Sequence, residues 1–91
     1  MTKPKVEIYT AMFCGYCILA KRLLKKKGVA FEVIDVTFKP AERRRMEKRA
    51  NGRHTLPQVF INGRSVGGCD DLYALDKAGK LDPLLGPHDG G

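Results

Sequence analysis

Cys14 and Cys17 are three positions apart in the run Phe13-Cys14-Gly15-Tyr16-Cys17, at the point where a strand-like stretch gives way to a helix-like one. Ahead of them, Val6, Ile8, Tyr9 and Thr10 give residues 5 to 10 the alternation and β-favouring side chains of a first strand. Behind them, Ala20, Leu23 and Leu24 share one stripe of a helix reading from Ile18 to Lys27, with lysines on the other face and Gly28 as its stop. A dithiol at a strand-to-helix turn restricts both fold and chemistry. The first thiol of the pair meets the unpaired backbone N–H groups and the positive end of the helix dipole, which favours a thiolate, so Cys14 is the candidate nucleophile. Cys17, one turn further in, faces the body of the protein and is the candidate resolving thiol.

The rest of the chain completes a small α/β pattern. Val29 to Val36 is nearly continuous in apolar residues and reads as a second strand, parallel to the first through a right-handed crossover. Pro40 suits the first position of a second helix, running to about Ala50 and ended by Asn51-Gly52, with a thin apolar stripe of Met46 and Ala50 that places it at the surface. Gln58 to Ile61 is a third strand. Asn62-Gly63 is a hairpin signal, which returns Arg64 to Gly67 antiparallel. Gly67-Gly68 releases the chain into a last helix that starts at Asp70-Asp71 and runs through Ala78, with Leu81, Leu84 and Leu85 tucked back onto the sheet. The expected order is βαβαββα in one domain over residues 1 to 85, with residues 86 to 91 as a flexible tail.

Charge and cysteine usage narrow the function classes. The formal charge of +7 comes largely from two blocks, Lys21-Arg22 with Lys25-Lys26-Lys27, and Arg43-Arg44-Arg45 with Lys48-Arg49. Both fall on helices, and neither has the interleaved aromatics of a base-stacking platform, so they read as solvated faces and no nucleic-acid partner is expected. Their general field favours anionic substrates. No apolar run reaches the roughly 18 residues that a membrane span needs, and the first residues lack a signal-peptide core, so a cytoplasmic protein without a membrane partner is expected. Three cysteines fit a reducing compartment, where a C-x-x-C is redox-active or metal-binding. Against zinc stand the absence of a second C-x-x-C and the presence of only His54 and His88 as imidazoles.

Three stretches in this order, Cys14-Gly15-Tyr16-Cys17, Thr55-Leu56-Pro57-Gln58-Val59-Phe60 and Gly67-Gly68-Cys69-Asp70-Asp71-Leu72, resemble the glutaredoxins, the small bacterial dithiol type in particular. The resemblance runs from Val6 to about Leu85. It implies a thioredoxin-like fold, a four-stranded mixed sheet flanked by three helices, and a glutathione-dependent thiol-disulfide oxidoreductase, monomeric as the apo protein. Its partners would be glutathione, as cosubstrate, and glutathionylated or disulfide-containing proteins.

By the same resemblance Cys14 attacks the glutathionylated substrate and Cys17 permits a dithiol route. Tyr16 and Thr55 flank the glutathione groove, Pro57 is a cis-proline facing the dithiol, and the backbone of Leu56 pairs with the cysteinyl part of glutathione like an added strand. Gly68, Cys69, Asp70 and Asp71 would hold the γ-glutamyl end, backbone N–H groups taking its carboxylate and an acidic side chain its ammonium. Cys69 would serve through its backbone.

Two departures matter. Gly15 stands where the family often has proline, and Ala11 where it often has a lysine, so Arg53 or a basic residue of the second helix is the expected substitute at the glycyl carboxylate. A non-proline residue at Gly15 also admits an alternative function, a dimer holding a [2Fe–2S] cluster through Cys14 and glutathione thiols.

Overall fold

The computed structural model describes residues 4 to 86, so most of the expected tail, residues 87 to 91, lies outside the described residues. The elements are β1 (Val6–Thr10), α1 (Gly15–Lys26), β2 (Glu32–Asp35), α2 (Pro40–Arg49), β3 (Gln58–Ile61), β4 (Arg64–Gly67), α3 (Cys69–Lys77) and α4 (Leu81–Leu85). The strands form one sheet in the order β2-β1-β3-β4. β1 pairs parallel with β2, Thr10 opposite Asp35, and antiparallel with β3, Ile8 opposite Val59. The β3–β4 hairpin turns at Asn62 and Gly63, both with positive φ (53° and 81°), the backbone that an Asn-Gly pair accommodates.

Alternation along the strands divides the core between the two faces. Val6 and Ile8 of β1 and Val59 and Ile61 of β3 meet Ala20, Leu23 and Leu24 of α1, Leu72 of α3, and Leu81 and Leu85 of α4. Tyr9 and Phe60 point to the opposite face, where Met46 and Ala50 of the α2 end cover them. Burying one such leucine contributes about 1.5–3 kcal/mol. Several of these side chains are wholly buried, so α1, α3 and α4 are held mainly by packing. Lys27, at the end of α1, adds ion pairs to Asp76 of α3 and Asp82 of α4, and the Tyr73 hydroxyl donates to the Leu19 carbonyl at 2.9 Å.

The structure refines the sequence reading in four places. The second strand is Glu32–Asp35 rather than Val29 to Val36, because it is an edge strand whose one neighbour among the described residues, β1, supplies partners for four residues. Val29 and Val36 are nevertheless buried, which accounts for the longer apolar run. The first helix begins at Gly15, with Cys14 itself as the N-cap. The leucines expected to tuck back do so as the short helix α4, a fourth beside the three anticipated.

The last refinement concerns Arg49, which does not belong to a solvated basic face. It donates to both carboxylate oxygens of Glu7 (2.8 and 3.2 Å) and to the Tyr9 hydroxyl (2.7 Å), and lies 4.2 Å from the centre of the Phe60 ring. Glu7 is 7% exposed in the middle of the sheet, where an unpaired carboxylate would be costly, and Arg49 is its counter-charge. That ion pair and the Met46 contact seat α2 on the second face of the sheet.

Candidate active site

The dithiol occupies the carboxyl end of β1, where α/β sheets place their ligand sites. Cys14 caps α1: its Sγ accepts the backbone N–H of Cys17 at 3.2 Å, and its backbone is extended (φ −105°, ψ 102°). A donor thus lies against the sulfur that carries charge in the attacking form. Cys14 is half-buried, whereas Cys17 is 1% exposed, so an incoming disulfide reaches the first thiol and not the second. Burial, and then the adjacent Cys14, push the Cys17 thiol up to about 12. At neutral pH Cys17 is therefore a thiol.

Opposite the dithiol is the loop ahead of β3. The Leu56–Pro57 peptide bond is cis, and the Leu56 carbonyl lies 3.8 Å from Cys14 Sγ. Gln58 fastens this loop from beneath. Its buried side chain donates through Nε2 to the carbonyl and hydroxyl of Thr55, at 2.9 and 3.2 Å. Arg43 of α2 donates to the His54 carbonyl at 3.2 Å, so the loop is held from α2 as well.

The third component is the turn from β4 into α3. Gly67 has φ +114°, and a Cβ there would collide with the Asp71 carboxylate and the Arg53 guanidinium. A Cβ on Gly68 would come within 3.2 Å of the Pro57 carbonyl. Close approach and positive φ thus require glycine at Gly67, while at Gly68 a side chain would press on the Pro57 carbonyl. Gly68 is the N-cap of α3, and its N–H donates to Asp71 Oδ2 at 2.9 Å. The same oxygen accepts from Arg53 at 2.7 Å. The Arg53 guanidinium, followed by the Gly68 N–H, holds the Asp71 carboxyl below its ordinary range. Cys69 is buried at the first position of α3, and burial followed by the neighbouring Asp70 pushes its thiol up.

Between the last two components runs a groove of about 310 Å³ lined by Tyr16, Arg53, Thr55, Leu56, Pro57, Gly68, Cys69, Asp70 and Asp71. All eight residues expected at a glutathione site fall on it, and Leu56 joins it to Cys14. Arg53 is the addition. Named from sequence as one substitute for the lysine missing at Ala11, it lines the groove and donates to Asp71 at 2.7 Å. Its position three residues ahead of Leu56 was the available signal, but the pairing with α3 depends on a contact across 18 residues.

Comparison with known proteins agrees with this geometry. The family model for glutaredoxin matches residues 6–66. Glutaredoxin 3 of Escherichia coli K12 is 55% identical over 80 residues, 88% of this chain and 95% of that protein. The solution structure of a glutaredoxin from Brucella melitensis superposes with a TM-score of 0.81 at 50% identity, covering 93% of this chain and 91% of the other. A buckwheat glutaredoxin solved as its glutathione complex also gives a TM-score of 0.81, at 29% identity, covering 90% of this chain and 76% of the other. With a family match across most of the sheet and the dithiol at the carboxyl end of β1, the chain belongs to the glutaredoxins, thiol-disulfide oxidoreductases of thioredoxin-like fold.

Proposed function

We propose that this oxidoreductase is glutathione-dependent and works first by a one-thiol route through Cys14. The observation that carries this reading is the asymmetry of the pair: a half-buried Cys14 whose sulfur accepts a helix N–H, beside a buried Cys17 held as a thiol. The Cys14 thiolate attacks the glutathionyl sulfur of a protein–glutathione disulfide. That S–S bond breaks, the protein thiolate leaves and takes a proton from solvent, and glutathione remains on Cys14. A second glutathione, as thiolate, attacks the new disulfide, forms oxidised glutathione and returns the Cys14 thiolate. In the dithiol route Cys17 loses its proton and its sulfur attacks the Cys14 sulfur of the mixed disulfide; the Cys14–Cys17 disulfide forms, the bond to glutathione breaks, and the departing glutathione thiolate takes up the proton.

The groove supports the glutathione half of the reading. Leu56 offers extended backbone for the cysteinyl part, Tyr16 and Thr55 line its flank, and Asp71 offers a carboxylate for the γ-glutamyl ammonium. Arg53 adds a cation for the neighbouring carboxylate. Kinetics of two variants test the route. Cys14→Ser is expected to abolish turnover of a glutathione mixed disulfide, while Cys17→Ser keeps a substantial part of it. Equal loss in both would overturn the one-thiol assignment.

The [2Fe–2S] alternative fits this chain's own residues only in part. Each chain presents one accessible free cysteine of its dithiol, Cys14, and no group of three or more metal-ligating side chains occurs among the described residues. Such a cluster would therefore draw on a second protomer and on two glutathione thiols.

A further inference from the structure

Phe13 and Phe38 are the most exposed large apolar side chains among the described residues, at 98% and 93%. Each also holds backbone that its side chain disfavours, with φ of 57° and 59°. The other left-handed non-glycine positions, Asn51 and Asn62, carry the residue type that tolerates it. Two phenylalanines that are both hydrated and strained bury almost none of their rings in the fold, and such outliers gather at sites of function.

The two rings stand on adjoining turns. β1 and β2 end side by side, and the turns leaving them are tied by the Met12 N–H to Thr37 Oγ1 at 2.8 Å. Phe13 and Phe38 each follow a member of that hydrogen bond, and Cys14 follows Phe13. Met12, half-exposed, extends the apolar surface. Two lysines outnumber the one carboxylate at these turns. Lys39 follows Phe38, and Lys21 and Lys39 both act on Asp35, whose carboxylate is turned back onto the Thr37 N–H at 2.7 Å. Neither turn lines the groove described above; Cys14 stands between them, next to Phe13 in the chain and 3.8 Å from the Leu56 carbonyl of the groove.

We propose that Met12, Phe13 and Phe38 form the docking surface for the polypeptide half of the substrate, and that it selects segments with a bulky apolar and an acidic residue beside the reactive cysteine. The proposal rests on the glutathione reading but concerns the protein, not the glutathione, side of the mixed disulfide. Three side chains expose on the order of 500 Å², less than the roughly 800 Å² per partner of a stable protein interface. That area suits a transient extended peptide better than a second folded copy. The uncovered rings and the lysines beside them match such a peptide in apolarity and in charge.

The test compares two glutathionylated peptides, one with leucine and aspartate flanking the cysteine and one with glycine and lysine, alongside the mixed disulfide of glutathione and 2-mercaptoethanol. The wild-type protein is expected to favour the first peptide by about tenfold in kcat/KM, the scale of partly burying one aromatic ring. The double variant Phe13→Asn/Phe38→Asn should lose that preference and turn over the small disulfide at the wild-type rate. Asparagine accepts the left-handed backbone, so thermal stability should be unchanged or raised. Equal use of the two peptides by the wild-type protein would overturn the proposal, as would an equal loss on the small disulfide. A wild-type dimer in sedimentation velocity that the variant dissolves would overturn it too, since a second copy would then cover the surface. Failure on every glutathione disulfide would strike the glutathione reading instead, and the same peptides disulfide-linked to cysteine would then decide the docking question.

Discussion

Replacing Asp71 by asparagine removes a charge while keeping an acceptor for the Gly68 N–H, which the aspartate now holds at 2.9 Å. A charge-assisted contact to the γ-glutamyl ammonium is worth about 1.5–3 kcal/mol when well shielded. The Asp71 side chain is 45% exposed and already paired with Arg53, so the lower part of that range applies. About 1.4 kcal/mol corresponds to a tenfold loss of kcat/KM for a glutathione mixed disulfide. The control is the reaction of Cys14 with a small neutral disulfide that lacks glutathione, which should be unchanged because it carries no ammonium for Asp71 to hold. Asp71→Ala should add the loss of the cap, about 1 kcal/mol, or roughly 4–8 °C in Tm for a domain of this size. An equal loss on both substrates in Asp71→Asn would refute the reasoning and assign Asp71 to the integrity of α3. No loss on either would remove it from glutathione recognition.

Arg49→Met leaves Glu7 buried without its counter-charge and should cost about 3 kcal/mol in urea unfolding, much of it regained in Glu7→Gln/Arg49→Met. The Arg49 hydrogen bonds hold Glu7 below its ordinary value of 4.5, so the folded protein binds fewer protons there than the unfolded chain. That stability is fully present above pH 4.5 and is lost as the pH falls toward the lower folded value, and the double variant should show a flatter acid limb. For the cluster alternative, a Cβ at Gly15 meets nothing within 4 Å. Protein purified without oxygen from iron-replete cells, with glutathione present, is expected to be a colourless monomer. A brown dimer that Cys14→Ser and Gly15→Pro both bleach would instead establish the cluster.

Much of the site was legible because it is local. The dithiol turn, the Asn62-Gly63 hairpin and the run Gly67 to Asp71 each owe their form to residues within a few positions, so spacing and turn chemistry identify them. What was not legible depends on partners distant in sequence. The length of β2 follows from how much of β1 it can pair with, not from its apolar run. Arg49 looks like one more cation on a basic helix until Glu7, 42 residues away, is seen buried beneath it. Arg53 carries no mark of its bond to Asp71. The left-handed backbone of Phe13 and Phe38 runs against residue preference, and no sequence rule would place a phenylalanine there.

Intact-mass analysis of the Cys17→Ser protein after brief exposure to oxidised glutathione tests the central claim most directly. The account predicts one glutathione added, mapped by peptide digestion to Cys14, with Cys69 unmodified and the adduct removed by reduced glutathione. An adduct on Cys69, or none on Cys14, would contradict it.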